Sequence, residues 1–242
     1  MREQPVREVL RDDRRAEIQL AAGDPGAPVV IVFTGLADKV SVPLNTMDRL
    51  LAARGLNAIY CRDFSRRMYV HGIESLGPDA AGTADALRSL LEKLDATRVF
   101  TLGNSVGGHG AIHYGLRLKA DAVLSYAGPT NATSGFLSTF DERAAVVARK
   151  LNRHPIADEL DLKPLAAGCD GRVQIHLIYG AGMPQDRVHA KHLAGVPGVH
   201  LHGDPECADH DVLSHHIANG KFVTLLEQVV LGSPAGSVLL PA

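Results

Sequence analysis

Val99-Phe100-Thr101-Leu102-Gly103-Asn104-Ser105-Val106-Gly107-Gly108 is the stretch on which the reading of this chain turns. Four β-prone residues run into Gly103-Asn104-Ser105-Val106-Gly107, a G-x-S-x-G pattern, and helix-like sequence follows over residues 109–118. A strand that turns into a helix through such a pentapeptide holds its serine in a strained backbone conformation, with the hydroxyl standing at the end of the sheet. Side chains at Gly103 and Gly107 would collide across so tight a turn. Ser105 is therefore the expected nucleophile. The competing reading is a chance match; the strand before and the helix after are the context that separates the two.

Upstream of this stretch, residues 6–10 and 16–20 alternate apolar and polar side chains around Arg11-Asp12-Asp13-Arg14 and read as a β-hairpin. Val29-Val30-Ile31-Val32-Phe33 is continuously apolar, as a strand covered on both faces must be. Residues 43–54 form a helix that Gly55 stops, and residues 57–61 form a strand. A polar loop over 62–77 precedes a helix begun by Pro78, whose Ala80, Ala84, Leu87, Leu91 and Leu94 make an apolar face.

Downstream, residues 122–126 form another strand. From 134 to 153 the pattern is helical, and 161–167 suggests a short helix, so residues 129–168 read as a small helical, cap-like insertion. Strands at 173–179 and 198–202 flank a helix over 184–193, and 211–231 carries the closing helix, interrupted near Gly220. Strands alternating with helices predict an α/β fold. Its central sheet has about eight mostly parallel strands opened by an antiparallel hairpin, with helices on both faces. Right-handed crossovers place every strand-to-helix loop on one edge, where active sites of open α/β sheets lie. No repeat or linker divides residues 1–242, so one domain is expected.

Composition narrows the function. A net charge of −2 gives no field that favours nucleic acid or anionic lipid, and 5% aromatic residues offer no stacking surface. Cys61, Cys169 and Cys207 are odd in number and scattered, which fits a reducing compartment and neither a disulfide framework nor a C-x-x-C site. The charged opening lacks an apolar signal core and no apolar run spans a bilayer, so a soluble, cytoplasmic protein is expected. Nothing in the sequence specifies an assembly.

A serine hydroxyl needs a base to take its proton, and the base needs an acceptor to fix its tautomer. After a serine on such a turn, the acid follows a late strand and the histidine the last one. Asp186 fits the acid; its competing role is a helix N-terminal carboxylate. Asp204 is the rival, placed after the final strand. His210, between the last strand and the last helix, fits the base, against the alternative of a solvated loop histidine; His215 and His216 fall on or under that helix. The oxyanion needs two N–H donors. Val106 supplies one, and the turn Thr34-Gly35-Leu36-Ala37 the other, through Leu36 with Gly35 as alternative.

Asp38 and Lys39 line the entrance or form a solvated pair. Tyr69 and His71 contact substrate or pack within their loop, and His109 lies at the pocket rim or on the helix surface. His189 and His192 have no carboxylate or cysteine at ligand spacing in the sequence, so no metal is expected. Gly103 to Gly108 is no P-loop, because no Gly-Lys-Ser/Thr follows.

With these residues in view, the chain resembles the α/β-hydrolase superfamily over nearly its whole length, anchored by Gly103 to Gly108, Asp186 and His210. The stretch from Gly103 to Gly115 is similar to a bacterial group whose elbow reads G-N-S-M-G-G; Val106 stands at the methionine, and Thr34-Gly35 replaces the common His-Gly. The resemblance implies Ser105 as nucleophile, Asp186 as orienting acid and His210 as base. The expected activity is hydrolysis of a carboxylic ester or thioester through an acyl-enzyme. No cofactor is expected, the partner is a small-molecule acyl substrate, and the pocket walls come from residues 129–165. Acyl transfer on the same fold, or a ligand-binding homologue without catalysis, are the alternatives, because the fold alone does not choose a reaction.

Overall fold

The computed structural model describes Leu10, residues 12–141 and residues 159–232. Among these, seven strands form one sheet: β1 (Ile18–Ala21), β2 (Val29–Phe33), β3 (Asn57–Cys61), β4 (Val99–Asn104), β5 (Ala122–Tyr126), β6 (Gln174–Gly180) and β7 (Val199–Asp204), in the order β1-β3-β2-β4-β5-β6-β7. Only β1 is antiparallel, pairing Ile18 with Cys61 and Ala21 with Ala58; every other pairing is parallel. The expected opening hairpin thus contributes its second strand to the sheet edge, against β3. Its first strand, apart from Leu10, lies outside the described residues.

The strands alternate with helices α1 (Leu44–Ala52), α2 (Ala80–Lys93), α3 (Val106–Leu118), α4 (Ser134–Phe140), α5 (Leu162–Ala167), α6 (Pro184–His192), α7 (Val212–Ala218) and α8 (Lys221–Val230). Alternation along β2 shows how the core splits. Val30 and Val32 point to one face, packed with Leu44, Met47 and Leu51 of α1, Val212 of α7 and Phe222 and Leu226 of α8. Val29, Ile31 and Phe33 point to the other, packed with Leu87 of α2, Ile112 and Tyr114 of α3, Leu162 of α5 and Ala190 of α6. All five β2 side chains are wholly buried, which is why the strand reads as an unbroken apolar run.

Several boundaries differ from expectation for local reasons. α2 starts at Ala80 rather than Pro78, because the Asp79 side chain caps it by accepting from the Gly82 N–H. α4 stops at Phe140, where Asp141 turns extended (φ −146°), instead of running to 153; residues 142–153 of that expected helix lie outside the described residues. The closing helix is two helices, α7 and α8, broken at Asn219 and Gly220. No helix among the described residues is long and apolar enough to cross a membrane.

Candidate active site

Ser105 sits between β4 and α3 with φ 53° and ψ −128°. That left-handed conformation costs a non-glycine residue about 1–3 kcal/mol. Its surroundings hold it there. The Ser105 N–H donates to Tyr126 O of β5 at 2.8 Å, and the Gly108 N–H donates back to Ser105 O at 2.8 Å.

Two close backbone approaches make the turn possible. A Cβ on Gly103 would lie 2.0 Å from Gly107 O, and one on Gly107 would lie 2.2 Å from Phe33 O. Neither neighbour is a flexible side chain that could yield. Gly107→Ala is therefore expected to destabilise the fold by more than about 3 kcal/mol, the upper end for core overpacking. Urea unfolding followed by circular dichroism measures this, and a loss below about 1 kcal/mol would contradict the packing described.

His210 lies in the loop between β7 and α7. Its Nε2 is 3.0 Å from Ser105 Oγ, and its Nδ1 is 2.9 and 3.0 Å from the two Asp186 carboxylate oxygens. Asp186 is in the first turn of α6, and its side chain is only 1% exposed, whereas the His210 side chain is 39% exposed. A buried carboxylate needs a donor, and the imidazole N–H provides one. Backbone bonds fasten the two loops together: Ala181 N–H donates to Asp204 O at 2.8 Å and Gly182 N–H to Cys207 O at 3.2 Å. The rival acid, Asp204, faces elsewhere, accepting from His216 Nε2 at 3.0 Å and from Lys221 Nζ at 2.9 Å. Burial works to raise its pKa, but the bonds from Lys221 and the Glu206 N–H outweigh that and hold it below the ordinary value.

Of the two expected oxyanion donors, Val106 lies at the elbow and Leu36 in the turn that follows β2. Val106 opens α3, so its N–H has no acceptor within the helix. Gly107, pressed on Phe33 O, brings the turn after β2 against the elbow. In that turn the Gly35 N–H donates to Lys39 O at 3.0 Å, which removes the alternative donor. Among the described residues no acceptor takes the Leu36 N–H.

Contacts invisible in the sequence fix that turn. Asp38 and Arg66, both at positive φ, form a two-pronged ion pair of 2.6 and 2.7 Å that joins the 34–41 loop to the 62–77 loop. Asp38 thus pairs with Arg66 rather than with Lys39. Ser41 accepts from Asn104 Nδ2 at 2.9 Å and bonds to Asp211, tying the same loop to the elbow and to the His210 loop. Neither partnership has a local signal: Arg66 lies 28 positions after Asp38, and Asn104 lies 63 after Ser41. Tyr69 packs within its loop, its hydroxyl donating between Thr34 O at 2.9 Å and Cys61 O at 3.0 Å.

His109 is on neither the rim nor the surface. It is fully buried on α3, with Nδ1 donating to Pro129 O at 3.0 Å. Burial, helped by His113, pushes its pKa down from 6.5 to about 3. As pH falls below 6.5 the unfolded chain takes up this proton and the folded one does not. Its stability contribution is thus complete above pH 6.5 and is lost towards pH 3, about 2 kcal/mol of it between 6.5 and 5. His109→Asn, which keeps a donor for Pro129 O, is expected to flatten the fall of the melting temperature between pH 7 and 5; an unchanged slope would refute the assignment. His192 and His189 do gain carboxylates, from elsewhere in the chain: Asp161 at 2.7 Å and Asp141 at 3.5 Å.

No protein-family model and no curated protein sequence matches this chain. Solved structures match its fold. An α/β-hydrolase enzyme from the metagenome of sediments of the Mar Chica lagoon, Morocco, superposes with a TM-score of 0.58 at 12% identity, over 89% of this chain and 97% of the other. The acylaminoacyl peptidase of Pyrococcus horikoshii gives 0.62 at 14% identity, over 98% of this chain but 44% of the longer peptidase. Carboxyl esterase 2 of the mycorrhizal fungus Tuber melanosporum gives 0.58 at 13%, over 86% and 78%.

Proposed function

From the α/β-hydrolase fold that this chain adopts, we propose a serine hydrolase acting on a carboxylic ester or thioester. The observation that carries the proposal is the unbroken hydrogen-bond chain from Asp186 through His210 to a serine held at φ 53°. Ser105 Oγ attacks the acyl carbon while His210 Nε2 takes the hydroxyl proton. Asp186 keeps the Nδ1 proton in place and offsets the charge of the imidazolium. The negative oxygen is held by the Val106 and Leu36 N–H groups. The alcohol or thiol leaves with the proton from His210, giving an acyl-enzyme. Water then attacks the acyl carbon, His210 takes its proton and returns it to Ser105, and the free acid departs. No cofactor takes part.

Met68, Val70, Ala132, Leu137 and Leu160 form an apolar cluster against which Val106 and Phe136 pack. The cluster itself is buried, so the apolar surface it backs beside the nucleophile is that of the partly exposed Val106 and Phe136, which we assign to an apolar acyl chain. A fluorophosphonate probe tests the chemistry: wild-type protein should be labelled and Ser105→Ala should not. Absence of label on wild type, or equal label on the variant, would end the proposal. A panel of p-nitrophenyl esters, acyl thioesters and an acylated amino-acid amide then ranks substrates.

A further inference from the structure

Leu36 and Ala37 are exposed at the apex of the turn after β2, Leu36 by 47%, and neither belongs to a helix or strand. An N–H that meets a growing oxyanion is effective only if it is held in place beforehand. The apex is therefore positioned by the two feet of its turn. The first foot is Phe33 and Thr34: Phe33 O lies against Gly107, and the Thr34 N–H donates to Cys61 O at 3.0 Å. The second foot is Lys39 to Ser41. Its anchor on the elbow is the side chain of Asn104, the residue before the nucleophile.

Asn104 meets this turn with both ends of its amide. Nδ2 donates to Ser41 Oγ at 2.9 Å. On the other side, a Cβ on Gly35 would lie 3.6 Å from Asn104 Oδ1 and 3.5 Å from Asn104 O, so the turn passes within a methyl group's width of the elbow. The Ser41 O–H is drawn to the Asp211 carboxylate. Burial works to raise the pKa of Asp211, but bonds from Ser41 and Ser214 hold it below the ordinary value. The lone pairs of Ser41 Oγ are then left to accept, which decides that the NH₂ end of the amide faces Ser41. Both partners are held in unfavourable states. Ser41 has φ 61° at the centre of a γ-turn closed by Val42 N–H to Val40 O at 2.6 Å, the rare and strained form. Asn104 Oδ1 is buried and has no donor among the described residues. Strain and an unmet acceptor meeting in one contact mark a constraint set by function rather than by stability.

We infer that Asn104 and Ser41 are positioning residues for the oxyanion, their hydrogen bond holding the Leu36 N–H at a fixed place beside the elbow. The inference rests on the serine-hydrolase reading and on Leu36 as the second donor. Charge growing on the acyl oxygen must be met from two segments at once. Val106 is part of the elbow, two residues after Asn104, whereas Leu36 belongs to a separate loop. The Asn104–Ser41 bond ties that loop to the elbow at its second foot. Through Asp211, which follows His210, the same hydroxyl also reaches the loop of the base.

The test uses the full chain with p-nitrophenyl acetate. Ser41→Gly removes the hydroxyl and also relieves the positive φ, so it should melt no lower than Ser41→Ala. Its kcat should nevertheless fall by about 10²-fold with KM little changed, the order that misplacing a catalytic group costs. Affinity for a trifluoromethyl ketone, whose tetrahedral adduct on Ser105 puts an oxyanion in the same place, should fall in step with kcat/KM. Asn104→Ala breaks the same bond, so Ser41→Gly/Asn104→Ala should lie within about two-fold of the worse single variant. Turnover by Ser41→Gly within about two-fold of wild type, a loss carried by KM alone, or singles whose losses simply multiply would overturn the inference. Fluorophosphonate label on wild type and none on Ser105→Ala keeps these failures distinct from failure of the hydrolase reading; an unlabelled wild type would remove both.

Discussion

Ser105→Ala is expected to lower ester turnover by about 10⁶-fold in kcat, with KM little changed, because removal of the nucleophile ends the covalent route. The residual rate reflects what two backbone N–H donors and substrate binding can do with water as the attacking group. The variant should fold as wild type or better. Alanine removes an oxygen whose hydrogen bond is to an imidazole half open to solvent, and leaves the backbone bonds of the turn, from Ser105 N–H to Tyr126 O and Gly108 N–H to Ser105 O, intact. Steady-state hydrolysis and thermal melting on one preparation check both halves. Turnover within ten-fold of wild type would mean that Ser105 is not the nucleophile, whatever its geometry.

Asp186→Asn carries the second largest effect, about 10⁴-fold in kcat. The carboxylate accepts from His210 Nδ1 through both oxygens, which leaves Nε2 unprotonated and turned to Ser105. An amide can donate to Nδ1 instead, and the imidazole then carries its proton on Nε2 and cannot take one from the serine. The control is Asp204→Asn. It strips a buried carboxylate from Lys221 and His216, so it should cost about 3 kcal/mol of stability while the folded fraction turns over at the wild-type rate. If Asp204→Asn lost turnover and Asp186→Asn kept it, the assignment of acid and structural carboxylate would be reversed.

The fold was legible because its signals are local. Val29 to Phe33 is apolar throughout because both sheet faces are covered there, and Gly103 and Gly107 are glycines because backbone stands where their Cβ atoms would be. Boundaries were less legible: Asp79 moved the start of α2, and an extended Asp141 ended α4 within a pattern that still reads as helical. His109 was misplaced because amphipathic reasoning puts a histidine at a surface, whereas α3 is packed all round and buries it.

The sequence by itself determined the order of strands and helices, the turn that strains Ser105, and the candidacy of Asp186 and His210 by their positions after late strands. Tertiary structure alone decided which carboxylate reaches His210 and which is held by Lys221, and that Lys39 O occupies the Gly35 N–H. It also clamped Asp38 to Arg66. The reason is one of range. Backbone conformation and burial pattern are written in neighbouring residues, whereas a hydrogen bond between side chains dozens of positions apart exists only after the sheet has set its register and brought the loop ends together.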